Sequence, residues 1–398
     1  MKKILRYLIL LCISLFCLIN VRAEGIQDVS SNNIILLNLN DNKVIYEKNA
    51  DERVNIASLT KLMTMIVSIE NISDFNEKIL ITSDMIDNLA YDLSKVGFKS
   101  GEVVTYYDLL YGTLLKSGAD ATDILAISIS ESVEEFVKLM NEKAHELGMT
   151  NTSFANTIGI EQDNHYSSAR DISILLKYAL NNNIFKKIFT TEHYISTNNN
   201  HDMCGPLKYL KELGMDYVKG AKTGYTDIAG LCLASISNYN NVDYLLVTIG
   251  ADYKNRKQHF EDTKTIYQYY FNNYEYKKIL SKNDVLIKLK TIYDDEYEVL
   301  SDKDVYAYLN KNISSNDLTY GFDGKTLLNK TIKKNNYIGK YYIEYNNEIL
   351  YSKNIKSPVS VSMSLSYFLK HNILILGLIL LTFILFIILM NKKRNSKK

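Results

Sequence analysis

The chain has 398 residues, and its 46 lysines and arginines balance 45 aspartates and glutamates to a net charge of +1. This balance, with no basic patch interleaved with aromatic residues, argues against a nucleic-acid partner. Cys12 and Cys17 lie in the amino-terminal apolar segment. Cys204 and Cys232 are too few for a disulfide framework, and the sequence leaves open whether they pair.

The amino terminus has the pattern of a secretory signal peptide. A basic start with Lys2 and Lys3 is followed by a mostly apolar run over residues 7–21, and Ala23 supplies a small residue at a cleavage site. The pattern predicts a signal peptide over residues 1–23 and an exported body. An uncleaved membrane anchor is the alternative, and it exports the body as well.

A strand hairpin and a helix are the first folded elements that the sequence predicts. Residues 34–37 and 44–46 are apolar runs separated by a polar turn, which is typical of a hairpin. Residues 62–67 form an apolar run without glycine or proline, which predicts a buried helix. We expect Ser58 near the amino end of this helix, with Lys61 on the same helix face.

The Ser58-x-x-Lys61 sequence pairs a hydroxyl nucleophile with an amine base. Near a helix start, these two side chains come within reach of each other beside backbone N–H groups without intrahelical acceptors. The tetrapeptide alone is weak evidence, because an N-cap serine followed by a solvated lysine has the same sequence.

A helical block follows, and apolar spacing predicts helices over residues 107–115, 121–130 and 133–147. Ser117 lies in the short turn between the first two helices. Further along, Lys222-Thr223-Gly224 precedes two alternating segments, which predict a strand hairpin; the segments are residues 230–236 and 244–249. Lysine and threonine offer a cation and a hydroxyl to a carboxylate, and glycine allows a ligand to approach the strand backbone.

The carboxyl-terminal third changes character after a predicted helix over residues 260–271. Short alternating segments predict a small all-β domain over 276–352. Residues 373–390 carry no charge and are followed by a basic tail, which predicts one transmembrane helix with the tail in the cytoplasm. The alternative, a buried core helix, is disfavoured by the terminal position and the basic flank.

The ordered motifs Ser58-x-x-Lys61 and Lys222-Thr223-Gly224 resemble those of the penicillin-binding protein and serine β-lactamase superfamily. Runs at residues 46–50, 140–149 and 165–169 are similar to the low-molecular-weight D-alanyl-D-alanine carboxypeptidases. The resemblance covers roughly residues 33–275. It implies an α+β fold with a β-lactamase/transpeptidase-like sheet and a helical subdomain.

Together these observations predict six segments. They are a signal peptide (1–23), a D,D-peptidase catalytic domain (24–275), a small β-rich domain (276–352), a stalk (353–372), a transmembrane helix (373–390) and a basic cytoplasmic tail (391–398). The predicted location is the cell membrane, with a single span and an extracytoplasmic catalytic domain.

The resemblance implies a role for each residue of the motifs. Ser58 is the nucleophile and Lys61 the general base, whose pKa must be lowered by burial and by a nearby cation, Lys222. Ser117 relays protons on the opposite wall, and Thr223 binds the substrate carboxylate.

Gly224 and Tyr225 complete the implied substrate-binding strand, and the backbone N–H groups of Ser58 and Tyr225 stabilise the oxyanion. The implied substrate is the D-Ala-D-Ala end of peptidoglycan stem peptides, and β-lactams should acylate the same serine. The resemblance implies no cofactor and no metal.

One position departs from the family pattern. The family usually has an asparagine two residues after the motif serine, whereas this chain has Ala119 after Ser117. Losing that carboxamide is worth roughly 1.5–3 kcal/mol, which lowers a rate without abolishing it. The alternative function is therefore a catalytically weak, membrane-anchored penicillin-binding or wall-binding protein.

Other enzyme classes lack support in the sequence. The six histidines show no His-Glu-x-x-His spacing, and no Gly-x-Ser-x-Gly elbow occurs. A class A β-lactamase is disfavoured too, because the expected Glu-x-x-Leu-Asn element is missing.

Overall fold

The computed structural model describes residues 26, 29–87, 89–328, 332–362 and 364–395. The chain divides into two compact units, with the boundary between Phe271 and Asn272. The predicted signal peptide over residues 1–23 lies outside the described residues.

The first unit contains one large sheet and two small two-stranded sheets among its described residues. Its strands are β1 (Asn33–Asn38), β2 (Lys43–Lys48), β3 (Lys78–Leu80), β4 (Val103–Thr105), β5 (His193–Ile195), β6 (Asp202–Cys204), β7 (Val218–Thr226), β8 (Gly230–Tyr239) and β9 (Val242–Ala251). The large sheet is antiparallel, with the strand order β2-β1-β9-β8-β7. Strand β7, which carries the Lys-Thr-Gly sequence, therefore lies at one edge.

The helices of the first unit cluster in the chain between β2 and β7, with one more after β9. They are α1 (Lys61–Asn71), α2 (Tyr106–Leu115), α3 (Ala119–Ser130), α4 (Val133–Glu146), α5 (Ala169–Ala179), α6 (Asn183–Phe189), α7 (Pro206–Glu212) and α8 (Gln258–Asn273). The predicted helices and both predicted hairpins are confirmed, within a few residues at each end.

In the β8–β9 hairpin, the residues of the turn determine how the two strands pair. Asn240 and Asn241 form its two-residue turn, with φ angles of 50° and 61°. Asparagine tolerates this left-handed conformation better than most residues, and such turns match the twist of the flanking strands. The turn aligns Tyr239 with Val242, and this register holds as far as Leu233, beyond which it shifts at a β-bulge.

Helix α1 is the centre of the hydrophobic core. Its residues from Lys61 to Ile69 are all buried, and it contacts α2, α3, α4, α5 and α6. Helix α5 in turn packs on β1 and β9 of the sheet. A polar side chain at the start of α1 is therefore enclosed by apolar neighbours rather than by water.

Ser58 lies near the amino end of α1, as the sequence predicts, but it precedes the α-helix itself. It lies in one turn of 3-10 helix, Ala57–Thr60, and α1 begins at Lys61. Ala57 has a φ of 48°, so the chain enters this turn through a left-handed residue and not through a continuous helix. The two motif side chains still meet, because the 3-10 turn leads directly into α1.

The second unit is rich in strands and ends in helices. Its elements are β10 (Tyr274–Leu280), β11 (Val285–Thr291), β12 (Glu296–Leu300), β13 (Val305–Asn310), β14 (Thr319–Gly324), β15 (Leu327–Leu328), β16 (Tyr337–Tyr345), β17 (Glu348–Lys356), α9 (Leu365–His371) and α10 (Ile373–Asn395). An apolar cluster that includes Leu286, Ile343 and Ile355 forms its core.

These elements confirm the predicted fold class, an α+β unit followed by a small all-β region and an apolar terminal helix. Strand β17 continues to Lys356, and α9 lies within the segment predicted as a stalk. Within α10, residues Ile373–Met390 are long and apolar enough to cross a membrane. Cys204 and Cys232 both carry free thiols.

A glycine at position 159 is required by the Ser58 turn. Gly159 has a φ of 89°, and a Cβ atom built on it would lie 2.0 Å from the carbonyl oxygen of Ala57. We expect Gly159→Ala to lower the stability by about 1–2 kcal/mol for the left-handed backbone and by a further ~1–3 kcal/mol for the clash. Thermal unfolding of the full chain in detergent measures the loss.

Gly148→Ala is the matched control, because Gly148 also has a positive φ, of 72°, but no atom lies within 4 Å of the position that a Cβ atom would take there. It should show only the backbone cost. Equal losses for the two variants would contradict the proposed close contact.

Candidate active site

Three segments that are distant in sequence meet around one cleft of about 340 Å³. They are the 3-10 turn with Ser58, the turn between α2 and α3 with Ser117, and edge strand β7, which lines the cleft with Thr223 to Thr226 and carries Lys222 behind it. The 3-10 turn packs directly against β7. The structure therefore brings the sequence-predicted site residues together.

Ser58 and Lys61 are within hydrogen-bond distance of each other. The Lys61 Nζ atom lies 3.0 Å from the Ser58 Oγ atom and donates to the backbone carbonyl of Ile158 at 2.6 Å. Lys61 is only 3% exposed, whereas Ser58 is partly exposed in the cleft. A buried amine beside an accessible hydroxyl is an arrangement that can accept the hydroxyl proton.

Burial sets the protonation state of Lys61. It lowers the pKa of this amine to about 7, because the charged form loses its hydration. The negative charges of Asp123 and Asp120, both on α3, act in the opposite direction. A neutral, proton-accepting Lys61 is therefore accessible near neutral pH.

Ser117 and Lys222 form a second hydroxyl–amine pair on the opposite wall. The Lys222 Nζ atom donates to Ser117 Oγ at 2.8 Å and to the Thr223 carbonyl at 2.7 Å. Ser117 has a φ of 54°, which turns its side chain out of the helical path between α2 and α3. Lys222 is 1% exposed, so it acts from behind Ser117 and not as an open cation.

The cause of the lowered pKa of Lys61 differs from the sequence expectation. Lys222 was expected to lower the pKa of Lys61 through its charge. Burial is the main cause for both amines, and the charge of Lys61 further lowers the pKa of Lys222. Two positive charges close together in a low-dielectric environment repel each other, so Lys61 and Lys222 do not both favour the charged form.

Strand β7 approaches the Ser58 turn so closely that only glycine fits. A Cβ atom on Gly224 would lie 2.9 Å from the Ser58 backbone nitrogen and 3.2 Å from the Ile56 carbonyl oxygen. Thr223 lines the cleft and is partly exposed, and Tyr225 is exposed with its hydroxyl donating to Asp227. The strand thus presents a threonine hydroxyl beside the nucleophile.

Ala119 begins α3 and lines the same cleft. Its backbone N–H donates to the Ser94 carbonyl at 2.8 Å, but its methyl side chain offers no hydrogen bond. The neighbouring Asp120 carboxylate accepts backbone N–H groups of residues 96–98 at 2.8–3.1 Å and anchors that loop. Only the carboxamide of the family pattern is missing here.

Sequence reasoning placed His165 in the family-like run at residues 165–169 but missed that it supports the nucleophile turn. His165 Nδ1 accepts from the Ala155 N–H at 3.1 Å, which leaves Nε2 as the protonated nitrogen, 2.9 Å from Thr60 Oγ1. Thr60 Oγ1 donates to the Ala57 carbonyl at 2.9 Å. Burial lowers the pKa of His165 to about 4, so the imidazole stays neutral.

His259 was also missed. It lines the cleft from α8, and burial lowers the pKa of its imidazole to about 4. Among the described residues, its Nδ1 atom has no hydrogen-bond partner. His259 belongs to no short motif, and the role of His165 within its run is visible only in the three-dimensional contacts.

Comparison with protein families assigns both units. Residues 20–253 match the family model described as D-alanyl-D-alanine carboxypeptidase, and residues 274–362 match the C-terminal domain of penicillin-binding protein 5. The first match covers the whole constellation around Ser58.

Curated relatives extend over most of the chain. The D-alanyl-D-alanine carboxypeptidase DacF of Bacillus subtilis is 31% identical over 335 residues, covering 82% of this chain and 83% of its own length. DacA of Haemophilus influenzae is 27% identical, covering 81% of this chain and 90% of its own length.

Solved structures show the same fold. Penicillin-binding protein 5 from Haemophilus influenzae aligns with a TM-score of 0.64 at 24% identity, covering 84% of this chain and 98% of its own. The carboxypeptidase DacD from Francisella tularensis aligns with a TM-score of 0.68 at 22% identity, covering 85% and 95%. With the family match, these likenesses establish that the chain belongs to the D-alanyl-D-alanine carboxypeptidase family.

Proposed function

We propose that this protein is a serine-type D-Ala-D-Ala carboxypeptidase that removes the terminal D-alanine from peptidoglycan stem peptides. The observation that carries the proposal is the 3.0 Å contact between the buried amine of Lys61 and the Ser58 hydroxyl. Family membership supplies the reaction class, and the contact supplies the chemistry that starts it.

The first step is acylation of Ser58. Its Oγ atom attacks the carbonyl carbon of the penultimate D-alanine while its proton passes to neutral Lys61. The backbone N–H groups of Ser58 and Tyr225 are proposed to stabilise the oxyanion. The tight packing of Gly224 on the Ser58 turn supports this assignment, because it holds strand and nucleophile together.

The second step breaks the peptide bond. The leaving nitrogen takes a proton from the wall opposite Lys61, where Ser117 is hydrogen-bonded to Lys222, and D-alanine departs as the ester remains on Ser58. Water then attacks the ester carbon, its hydroxide completes the new carboxylate, and its proton returns to Ser58 Oγ. The proton that Lys61 took from Ser58 passes to the Ser117–Lys222 pair and replaces the one given to the leaving nitrogen, so bonds and protons balance over the cycle.

Substrate recognition is assigned to the edge strand. The Thr223 hydroxyl is proposed to bind the terminal carboxylate of the substrate, with Lys222 contributing positive charge from behind when protonated. β-Lactams carry the same carboxylate next to a reactive amide, so they should acylate Ser58 in the same geometry.

The location of the protein follows from its terminal helix. We propose that residues 373–390 anchor the chain in the cell membrane as a single span, with the catalytic domain outside and the basic tail inside. The uncharged helix Ile373–Met390 and the cell-wall substrate of the family support this orientation. The predicted boundaries at residues 275 and 352 stay predictions.

Ala119 favours one alternative function. A cleft without the family carboxamide could acylate slowly and serve as a membrane-anchored wall-binding protein. The catalytic proposal is preferred, because both hydroxyl–amine pairs, Ser58 with Lys61 and Ser117 with Lys222, are within hydrogen-bond distance. Release of D-alanine separates the two functions.

The first test of this function is release of D-alanine by Ser58. The full chain in detergent, incubated with a pentapeptide ending in D-Ala-D-Ala, should release D-alanine and should be labelled by fluorescent penicillin. Ser58→Ala should lose both signals by at least about a thousandfold, because the nucleophile is gone. Coupled D-alanine detection and gel fluorescence measure them.

Ser68→Ala is the matched control on α1, since the Ser68 hydroxyl is buried without a hydrogen-bond partner among the described residues. It should keep both signals. Labelling without D-alanine release would favour the wall-binding alternative, and equal labelling of Ser58→Ala would overturn the nucleophile assignment.

A second test uses pH. The pKa of Lys61 is lowered to about 7, and only its neutral form accepts the Ser58 proton. The second-order rate of penicillin acylation should therefore be level above pH 8 and fall about tenfold per pH unit below pH 6. The histidines near the turn and in the cleft titrate near pH 4 and do not contribute in this range.

Stopped-flow or quenched labelling between pH 5 and 9 measures this profile. A rate that stays constant from pH 5 to pH 8 would contradict the role of Lys61 as the base.

A further inference from the structure

Asp123 is a carboxylate that the reaction steps do not use, although it acts on Lys61. It lies on α3 four residues after Ala119, so the two side chains share one face of the helix. It is partly buried, and its Oδ1 atom accepts a hydrogen bond of 2.5 Å from Thr157 Oγ1.

Thr157, which hydrogen-bonds to Asp123, is next in sequence to a residue that contacts the general base Lys61. Ile158, the next residue, provides the carbonyl that accepts from Lys61 Nζ at 2.6 Å. The Thr157 carbonyl accepts from Thr64 Oγ1 of α1 at 2.8 Å. The segment carrying the Ile158 carbonyl is therefore fixed to α3 by Asp123 and to α1 by Thr64.

The charges around Lys61 come from two elements. Asp120 and Asp123 of α3 favour its charged form, and Lys222 of β7 is the second buried amine of the cleft. Asp120 already binds the backbone of residues 96–98, so Asp123 is the carboxylate linked to the Lys61 side.

The surroundings of Asp123 have opposing effects on its pKa. Burial raises its pKa, as do the charges of Asp120 and of Glu134 on α4, whereas the Thr157 bond and the charge of Lys61 lower it. The ionised carboxylate is therefore stabilised by the hydrogen bond from Thr157 and by the positive charge of Lys61.

We propose that Asp123 is a positioning residue that holds Lys61 in place through Thr157 and the Ile158 carbonyl, a role that compensates for the missing carboxamide at Ala119. The inference rests on the proposed function, because it assigns a support to the general base of that reaction. A shift of about 1 Å in a reacting group costs roughly a hundredfold in rate, so such a support matters.

Variants can separate the charge of Asp123 from its hydrogen bond. Asp123→Asn keeps an acceptor for Thr157 and removes the charge that favours protonated Lys61. The midpoint of the acylation pH profile should fall by roughly one pH unit while the rate at high pH stays within about threefold. Thr157→Val keeps the charge and removes the bond, so the rate at high pH should fall about tenfold or more at an unchanged midpoint.

Fluorescent penicillin acylation of the full chain between pH 5 and 9 measures both quantities, and thermal unfolding reports whether each variant is folded. Ser128→Ala, on the same helix, is the matched control, because its buried hydroxyl has no partner among the described residues. It should reproduce the wild-type profile.

A wild-type chain that is not acylated would overturn the proposed function and this inference together. An acylated wild type whose profile is unchanged in both Asp123→Asn and Thr157→Val would overturn only the inference. A purely structural role would lower the unfolding temperature and leave the pH midpoint in place.

An independent cluster lies on the β5–β6 hairpin. His193 is directly opposite Cys204, and Asp202 is two residues away on the same strand, so all three side chains share one face. Their ligand atoms all lie within 4.8 Å of one another, and His193 Nε2 is 2.6 Å from Asp202 Oδ1. The Cys204 thiol is free.

This donor set suits a divalent transition metal. Imidazole nitrogen, carboxylate oxygen and thiolate sulfur are the three ligand types of zinc, and tetrahedral ligands around zinc are separated by about 3.3–3.8 Å. Small rotations of the three exposed or partly exposed side chains reach that spacing. One carboxylate and one thiolate balance the charge of a divalent ion.

We infer that this hairpin binds one zinc-class divalent ion through His193, Asp202 and Cys204, with a fourth position left for water.

Cobalt(II) titration of the reduced full chain tests the site. One equivalent should produce a thiolate-to-cobalt absorption band in the near ultraviolet, and zinc should displace it. Cys204→Ser should remove the band and His193→Ala should weaken binding at least tenfold. His145→Ala, an exposed histidine on α4, is the control and should bind normally. No band, or an unchanged band in Cys204→Ser, would overturn the site.

Discussion

The structure depends on placing one amine, Lys61, at the buried start of α1, a helix whose residues from Lys61 to Ile69 are all buried. Its Nζ atom contacts the Ser58 hydroxyl at 3.0 Å, and its burial lowers its pKa to about 7. A lysine in water would be charged at neutral pH and could not accept a proton. The same apolar packing that stabilises α1 therefore creates the base, so stability and reactivity have a common origin.

The nucleophile is held by contacts that come from distant parts of the chain. The left-handed Ala57 directs the 3-10 turn, and Thr60, which contacts the neutral His165, donates a hydrogen bond to the Ala57 carbonyl. Gly159 lets a second segment pack against this turn. Gly224 brings the edge strand to the other side. Each contact is modest, but together they leave the Ser58 hydroxyl little freedom in the cleft.

Patterns in the sequence were enough to predict most of the fold and the core of the site. Apolar runs identified α1 and the β8–β9 hairpin, because burial imposes their periodicity. The motifs identified Ser58, Lys61, Ser117 and Lys222, whose contacts the structure displays. The 3-10 turn was not predicted, because a positive φ at an alanine has no sequence signal.

The supporting residues were not predictable from one sequence. Asp123 and His259 reach the site or its base from α3 and α8, through contacts that depend on how helices pack against the sheet. The pKa values of the two buried amines, Lys61 and Lys222, could not be predicted either. They depend on how deeply each amine is buried, and burial has a larger effect than the charge of the neighbouring amine. At Ala119 the sequence alone showed that the carboxamide of the family pattern is missing. Only the structure pointed to Asp123 as the residue that compensates for it.

Locating the covalent adduct is the most direct test of the central claim. Trypsin cleavage after Arg53 and Lys61 would release residues 54–61, which contain Ser58. After benzylpenicillin treatment of the full chain at pH 8, mass spectrometry should find the penicilloyl group on Ser58 within this peptide. A chain that carries no adduct, or carries it on a different peptide, would contradict the account.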